Sequence, residues 1–149
     1  SDRRNEEFKN LSQKFISLLD VDEVIAHLLV TEGFTTIDEV AMVSLEELTS
    51  IEGFDENLSK ELIERAKNCV EKIRVENLSK LKESGVDDYL LNSRLLSTDQ
   101  LLKLDEIKIK TRDQLADLSN SELLEIFNDM DKEKADEIII DSRKHWFEK

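Results

Sequence analysis

Apolar residues recur every three or four positions through most of this chain, broken by short polar stretches that begin with Ser, Thr or Asp. Phe8, Leu11, Phe15, Leu18 and Leu19 fall at helical spacing and predict an opening helix. Asp22 is placed to cap a second helix whose buried face would be Ile25, Leu28 and Leu29, and Gly33 would close it in the left-handed conformation. Thr36 with Glu39, and Ser44 with Glu47, have the spacing of capping boxes, each opening a short helix. Thr111 with Gln114 and Ser119 with Glu122 repeat the device, and Ser97 is expected to cap a helix over 98–105. Long closing helices are expected to start near Asp55 and Asp131, the first running past Cys69 and Ile73 toward Lys82 and ending at Gly85.

The pattern is made twice. TIDEVAMVSLEELTSI, residues 36–51, aligns without a gap on TRDQLADLSNSELLEI, residues 111–126, with Thr36/Thr111, Asp38/Asp113, Ala41/Ala116, Ser44/Ser119, Glu47/Glu122, Leu48/Leu123 and Ile51/Ile126 in common. One further residue in the second copy brings the closing helices into line. A period of about 75 residues is too long for a solenoid and suits a pair of small domains. Across the end of the first shared stretch, Leu48, Ile51, Gly53, Phe54, Ser59 and Leu62 follow the helix-hairpin-helix order: apolar, apolar, Gly, apolar, variable, then a small and an apolar residue. The expected fold is all-α: two tandem helix-hairpin-helix-type modules of about five helices each. The first acidic module spans 1–75, a helical connector 76–84 and the second module 85–149. Leu48, Ile51, Phe54, Leu62 and Ala66 should be core in the first module. Leu115, Leu118, Leu123, Ile126, Met130 and Ile138 should be core in the second, with Trp146 and Phe147 packed across its base.

Composition narrows the chemistry. Apolar residues make up 39% and charged residues 38% of 149, with no Pro and three Gly, which argues against sandwiches, barrels and Gly-rich phosphate loops. No apolar run is long enough for a membrane span, and the opening SDRRNEEF carries no apolar signal region. A single Cys excludes an internal disulfide and, with that start, points to the cytoplasm. The chain lacks an initiator Met, as a fragment of a longer protein would. Net charge is −14, and from Phe15 to Ser59 there is no Lys or Arg but eleven Asp or Glu. A field of that sign repels a polyanion at encounter and suits a basic protein surface, besides keeping the chain soluble.

In DNA-binding hairpins a second Gly follows the apolar turn residue, so that backbone N–H groups reach a phosphate at the helix N-terminus. Here that position is Asp55, and the second copy reads Asp129, Met130, Asp131. A carboxylate there can cap the helix itself and occupy the place of the phosphate. Nothing assembles into an enzyme site. Asp20, Asp22 and Glu23 lack the spacing and glycine of a calcium loop. His27 lies among apolar helix positions, His145 suits a last helical turn, and Cys69 sits mid-helix without an activating base. No metal, cofactor or catalytic set is expected.

Residues 19–68, LDVDEVIAHLLVTEGFTTIDEVAMVSLEELTSIEGFDENLSKELIERAKN, resemble the first C-terminal acidic repeat of the NusA family of bacterial transcription factors. The DVDE start, the EGF turn, the EELTSIEGFDE hairpin and the ERAKN close come in the family's order. IKTRDQLADLSNSELLEI and DKEKADEIIIDSRKHWF are similar to the second repeat, departing from it at Asn128 and Asp129, where Gly is usual, and over residues 85–103. The resemblance covers essentially the whole chain and implies that the family's polymerase-binding, S1 and KH domains lie outside it. It implies a role in pausing, termination and antitermination. The second repeat would contact the C-terminal domain of the RNA polymerase alpha subunit, lifting a self-inhibitory association with the factor's own S1 and KH RNA-binding domains. The first repeat would receive basic antitermination peptides.

On this reading the chain is a monomeric, non-enzymatic interaction region that binds neither DNA nor RNA directly; the alternative is a nucleic-acid-binding hairpin pair. Glu122 and Glu125 share a helix face at i and i+3 and, with Asp129 and Asp131, form the expected alpha-subunit patch. Glu46, Glu47, Asp55 and Glu56 form the equivalent patch for a basic peptide. Lys108, Lys110 and Arg112 near the second copy's middle turn would add register to that attraction.

Overall fold

A computed structural model describes residues 2–148, and every regular element among them is helical. The chain divides into two compact units, Ser1–Ile73 and Arg74–Lys149. The first contains α1 (Asp2–Leu19), α2 (Glu23–Thr31), α3 (Ile37–Met42), α4 (Leu45–Thr49) and the greater part of α5 (Glu56–Glu83). Phe15 and Leu19 of α1 are buried against α2, whose cap is the expected one: Asp22 Oδ1 accepts the Ile25 N–H at 2.9 Å. The buried face of α2 is Ala26 and Leu29; Ile25 and Leu28 flank it and are half-buried, a shift of the stripe by one position. At Thr36 the capping box is complete, with Glu39 Oε1 also taking the N–H and hydroxyl of Thr35. These donors hold the Glu39 carboxyl below its usual range, the Thr35 hydroxyl contributing most. Ser44 caps α4 in one direction only: its Oγ accepts the Glu47 N–H at 3.1 Å, and the Glu47 carboxylate does not reach back. The core closes on Leu48, Phe54, Leu62 and Ala66, with Ile51 half-buried at its edge.

The second unit contains the last turns of α5, then α6 (Asp88–Leu91), α7 (Thr98–Glu106), α8 (Arg112–Ala116), α9 (Asn120–Ile126), α10 (Lys132–Arg143) and a 3-10 turn, Lys144–Trp146. The boxes at Ser97, Thr111 and Ser119 are all complete. Leu81, inside the stretch read as a connector, is buried in this unit's core. So are Leu115, Leu123 and Ile138, whereas Leu118, Ile126 and Met130 are only half-buried and Phe127 takes the central place beside them. Trp146 and Phe147 are not core: they are 46% and 82% exposed. The 3-10 turn carries them off the end of α10, and the indole N–H finds Asp113 instead of an apolar wall.

The internal repeat is visible element by element. α2, α3, α4 and the start of α5 occupy the positions of α7, α8, α9 and α10, and the short α6 falls in the repeat's register on residues 13–16 of the unbroken α1, buried Leu90 on buried Phe15. Gly33 and Lys108 stand at the same point after α2 and α7, with φ of +99° and +67°. The same helix-ending bonds surround them: Phe34 N–H to Leu29 C=O at 3.0 Å, and Ile109 N–H to Leu104 C=O at 2.9 Å.

Candidate functional site

Each hairpin is a short helix, a turn and the N-terminus of a long helix. In the first, the turn holds itself by the Phe54 N–H to Ile51 C=O bond at 3.1 Å, with Gly53 at φ +98°. A Cβ at Gly53 would lie 3.3 Å from Leu28 Cδ1, so the position needs glycine for both conformation and space. The second hairpin makes the matching Met130 N–H to Phe127 C=O bond at 3.1 Å, and no residue of its turn has positive φ. Its additional residue lets the chain turn without a left-handed position, which is why Asn128 and Asp129 can replace glycine.

Both long helices are capped by their own chain. Asp55 Oδ1 accepts the Leu58 N–H at 2.7 Å, and Asp131 Oδ1 accepts the Lys134 N–H at 2.7 Å. One first-turn N–H of each helix is thus engaged by a fixed negative charge, and an anion approaching that end would meet repulsion from it.

The eight candidate carboxylates are all exposed, and their engagement divides them. In the first unit Glu46 and Glu47 lie in the opening turn of α4 with no side-chain partner among the described residues, Asp55 is a cap, and Glu56 pairs with Lys60 at 3.1 Å. In the second unit Glu122 Oε1 accepts the Ser119 N–H at 3.0 Å within the capping box, and Asp131 is a cap. Glu125 and Asp129 are left without a side-chain partner among the described residues. Reversing Glu122 to Lys would therefore also open a helix cap, so it does not test charge alone.

The cations expected to supply register are mostly turned inward. Lys110 Nζ bonds the carbonyl and hydroxyl of Ser84 at 2.7 and 2.8 Å and pairs with Asp105 at 3.3 Å. The Arg112 guanidinium lies over the Tyr89 ring at 4.4 Å and donates to the carbonyls of Ser142 and Asp141. Only Lys108 stays exposed without a side-chain partner among the described residues. Chain topology made this difference, because Ser84, Tyr89 and Ser142 lie far from these cations in sequence.

Two clusters had no signal in the sequence. Tyr89 of α6 donates its hydroxyl to Asp141 of α10. Burial, with that bond second, pushes the Tyr89 hydroxyl well up, while the same bond holds the Asp141 carboxyl down. Asp113 of α8 takes the Trp146 indole N–H at 3.1 Å and meets His145 Nε2 at 2.5 Å. These two donors, Trp146 first, hold its carboxyl below the usual range. His145 is thus fixed by a distant carboxylate and not by a helix end. His27 of α2 is half-buried, 3.6 Å from Glu23 and against the Phe8 ring. Among the described residues no group of three or more His, Cys, Asp or Glu is placed to hold a metal. Nor, among those residues, is any helix long and apolar enough to cross a membrane.

Comparison with known proteins agrees with this geometry. Residues 12–68 match the SAM-like helix-hairpin-helix tandem family, covering the first unit's hairpin and most of its core. The transcription termination/antitermination protein NusA of Rickettsia prowazekii (strain Madrid E) is 38% identical over 122 residues, 82% of this chain and 24% of that protein. The NusA of Rickettsia conorii (strain ATCC VR-613 / Malish 7) matches to the same extent, 38% over 122 residues. The chain spans about a quarter of the length of these curated relatives.

Proposed function

We propose, on the premise that this chain is a relative of NusA and resembles its C-terminal acidic repeats, that it is a non-enzymatic protein-interaction region of a transcription termination and antitermination factor. It acts in the cytoplasm as a monomer. The second unit engages the C-terminal domain of the RNA polymerase alpha subunit through Glu125 and Asp129, with Glu122 and Asp131 shaping the same hairpin face. The first unit offers Glu46 and Glu47, beside Asp55 and Glu56, to a basic antitermination peptide. The acidic faces also dock on the factor's own S1 and KH domains in place of RNA, and a basic partner displaces them by competition.

The observation that carries this reading is the pair of aspartate caps, which leave the hairpin's packing intact and fill its anion site. It weighs against the nucleic-acid-binding alternative, since a carboxylate stands where phosphate contact calls for glycine, and no Lys or Arg lies between Phe15 and Ser59. The deciding measurement is an NMR titration of the chain with the purified alpha C-terminal domain. Shifts should centre on Glu125 and Asp129, and the Glu125→Lys, Asp129→Lys double variant should lose at least about tenfold in affinity, more steeply at low salt. Unaltered affinity would remove this patch. A tight low-salt complex with RNA or DNA in a mobility-shift assay would overturn the whole reading in favour of the hairpin alternative.

A further inference from the structure

The two units share a plan, so a surface present in only one of them is informative. Where the first unit has the unbroken end of α1, the second has a separate short helix, α6, between the end of α5 and α7. Between α6 and α10 it forms a groove of about 900 Å³, with Tyr89, Leu95 and Ile140 as its apolar surface. Ile140 is 63% exposed, although its neighbours Ile138 and Ile139 are fully buried in the core. The matching helix position in the first unit is Glu64, a charged residue of the kind a solvated helix face ordinarily carries. The same fold thus presents a charge to water in one copy and a large aliphatic side chain in the other.

The groove is organised for contact. Tyr89 is held from two sides, by the hydroxyl bond to Asp141 and by Arg112 stacked 4.4 Å from its ring. An aromatic ring fixed before a partner arrives loses little entropy on binding. Around the apolar surface stand five carboxylates, Asp88, Glu133, Asp136, Glu137 and Asp141, against two cations, Arg94 and Lys144. Lys144 is already paired with Asp141 at 3.3 Å, and Asp136 accepts a bond from Asn120. Asp88, Glu133 and Glu137 remain without side-chain partners among the described residues.

We infer that this groove is a second docking site, separate from the hairpin face, and that its occupant is a basic amphipathic helix of a partner protein. The helix would lay an apolar side chain against Ile140 and Leu95 and direct Lys or Arg to Asp88, Glu133 and Glu137. Charge decides among occupants. A second copy of this chain, at net charge −14, would bring like charge to the rim, and so would a nucleic acid. The length of α10, 12 residues or roughly 18 Å, suits a partner helix of about three turns.

The test uses the full chain, labelled for NMR, and a synthetic peptide of about 14 residues (~21 Å as a helix) with Leu at i, i+3, i+4 and i+7 and Lys on the other face. A scrambled peptide of identical composition is the control for charge alone. Shift changes are expected at Tyr89, Leu95 and Ile140 for the amphipathic peptide, with at least fivefold weaker binding of the scrambled one. Ile140→Ala should weaken binding several-fold and Ile140→Lys at least tenfold. Both variants change an exposed side chain, so an unchanged amide spectrum elsewhere will establish that they fold. The hairpin double variant Glu125→Lys, Asp129→Lys should leave peptide affinity within about twofold, which separates failure of this inference from failure of the alpha-subunit reading. Equal binding of both peptides, or indifference to Ile140→Lys, overturns the proposal. So does concentration-dependent dimerisation abolished by Ile140→Lys without peptide binding, which would make the groove a contact between copies.

Discussion

The clearest test of how the repeat was built is Lys108→Gly. Lys108 holds φ at +67°, where an L-residue other than Gly, Asn or Asp is strained by roughly 1–2 kcal/mol, and its side chain is exposed without a partner among the described residues. Glycine removes that strain and returns roughly 0.5–1 kcal/mol through its larger unfolded-state entropy. The net expectation is a gain of about 0.5–1 kcal/mol, or about 2–8 °C in the midpoint of a unit this small. Trp146, the single tryptophan, lies in the second unit, so its fluorescence in a urea or thermal melt follows that unit. The reciprocal change is Gly33→Ala in the first unit. A Cβ there meets nothing within 4 Å, so its whole effect is conformational, a loss of about 1 kcal/mol measurable by amide hydrogen exchange. A lower or unchanged midpoint for Lys108→Gly, or a costless Gly33→Ala, would refute the claim that both positions are the same left-handed helix stop.

Ser59 is fully buried with no partner for its hydroxyl among the described residues, and the matching residue in the second unit is Ala135, equally buried. Ser59→Ala should therefore be neutral or stabilising by about 1 kcal/mol in denaturant unfolding, and a clear destabilisation would expose a missed partner. Tyr89→Phe should return Asp141 toward the ordinary carboxylate range, as read by NMR titration. Because the folded-state Asp141 lies below its unfolded value, the bond stabilises above that unfolded value and the gain fades as pH falls through the folded one. The variant should accordingly flatten the acid limb of the second unit's stability profile, and an identical limb would deny the coupling. Glu39 follows the same sign, so Glu39→Gln, which can still accept the capping bonds, should weaken the acid dependence of the first unit while retaining its helix.

Much of this molecule was legible in one sequence because its determinants are local. A cap needs only a Ser, Thr or Asp and the residue three positions on, so Asp22, Thr36, Ser97, Thr111 and Ser119 identified their helices correctly. The carboxylate caps at Asp55 and Asp131 were readable for the same reason. Ser44 shows the limit of the rule: the spacing was right, but the Glu47 side chain was free to choose another rotamer.

The repeat, the helices and the stops between them follow from the order of residues alone. Tertiary structure decided which of the many charges stay available. Lys110 and Arg112 read as surface cations until Ser84, Asp105 and Tyr89 are brought to them from other helices. Trp146 read as core by size alone, whereas the 3-10 turn after α10 set it beside Asp113 at the surface. The physical reason is range. Capping and helix periodicity act within one or two turns of chain, while an ion pair, a stacked ring or a burial depends on residues that only the completed packing makes neighbours.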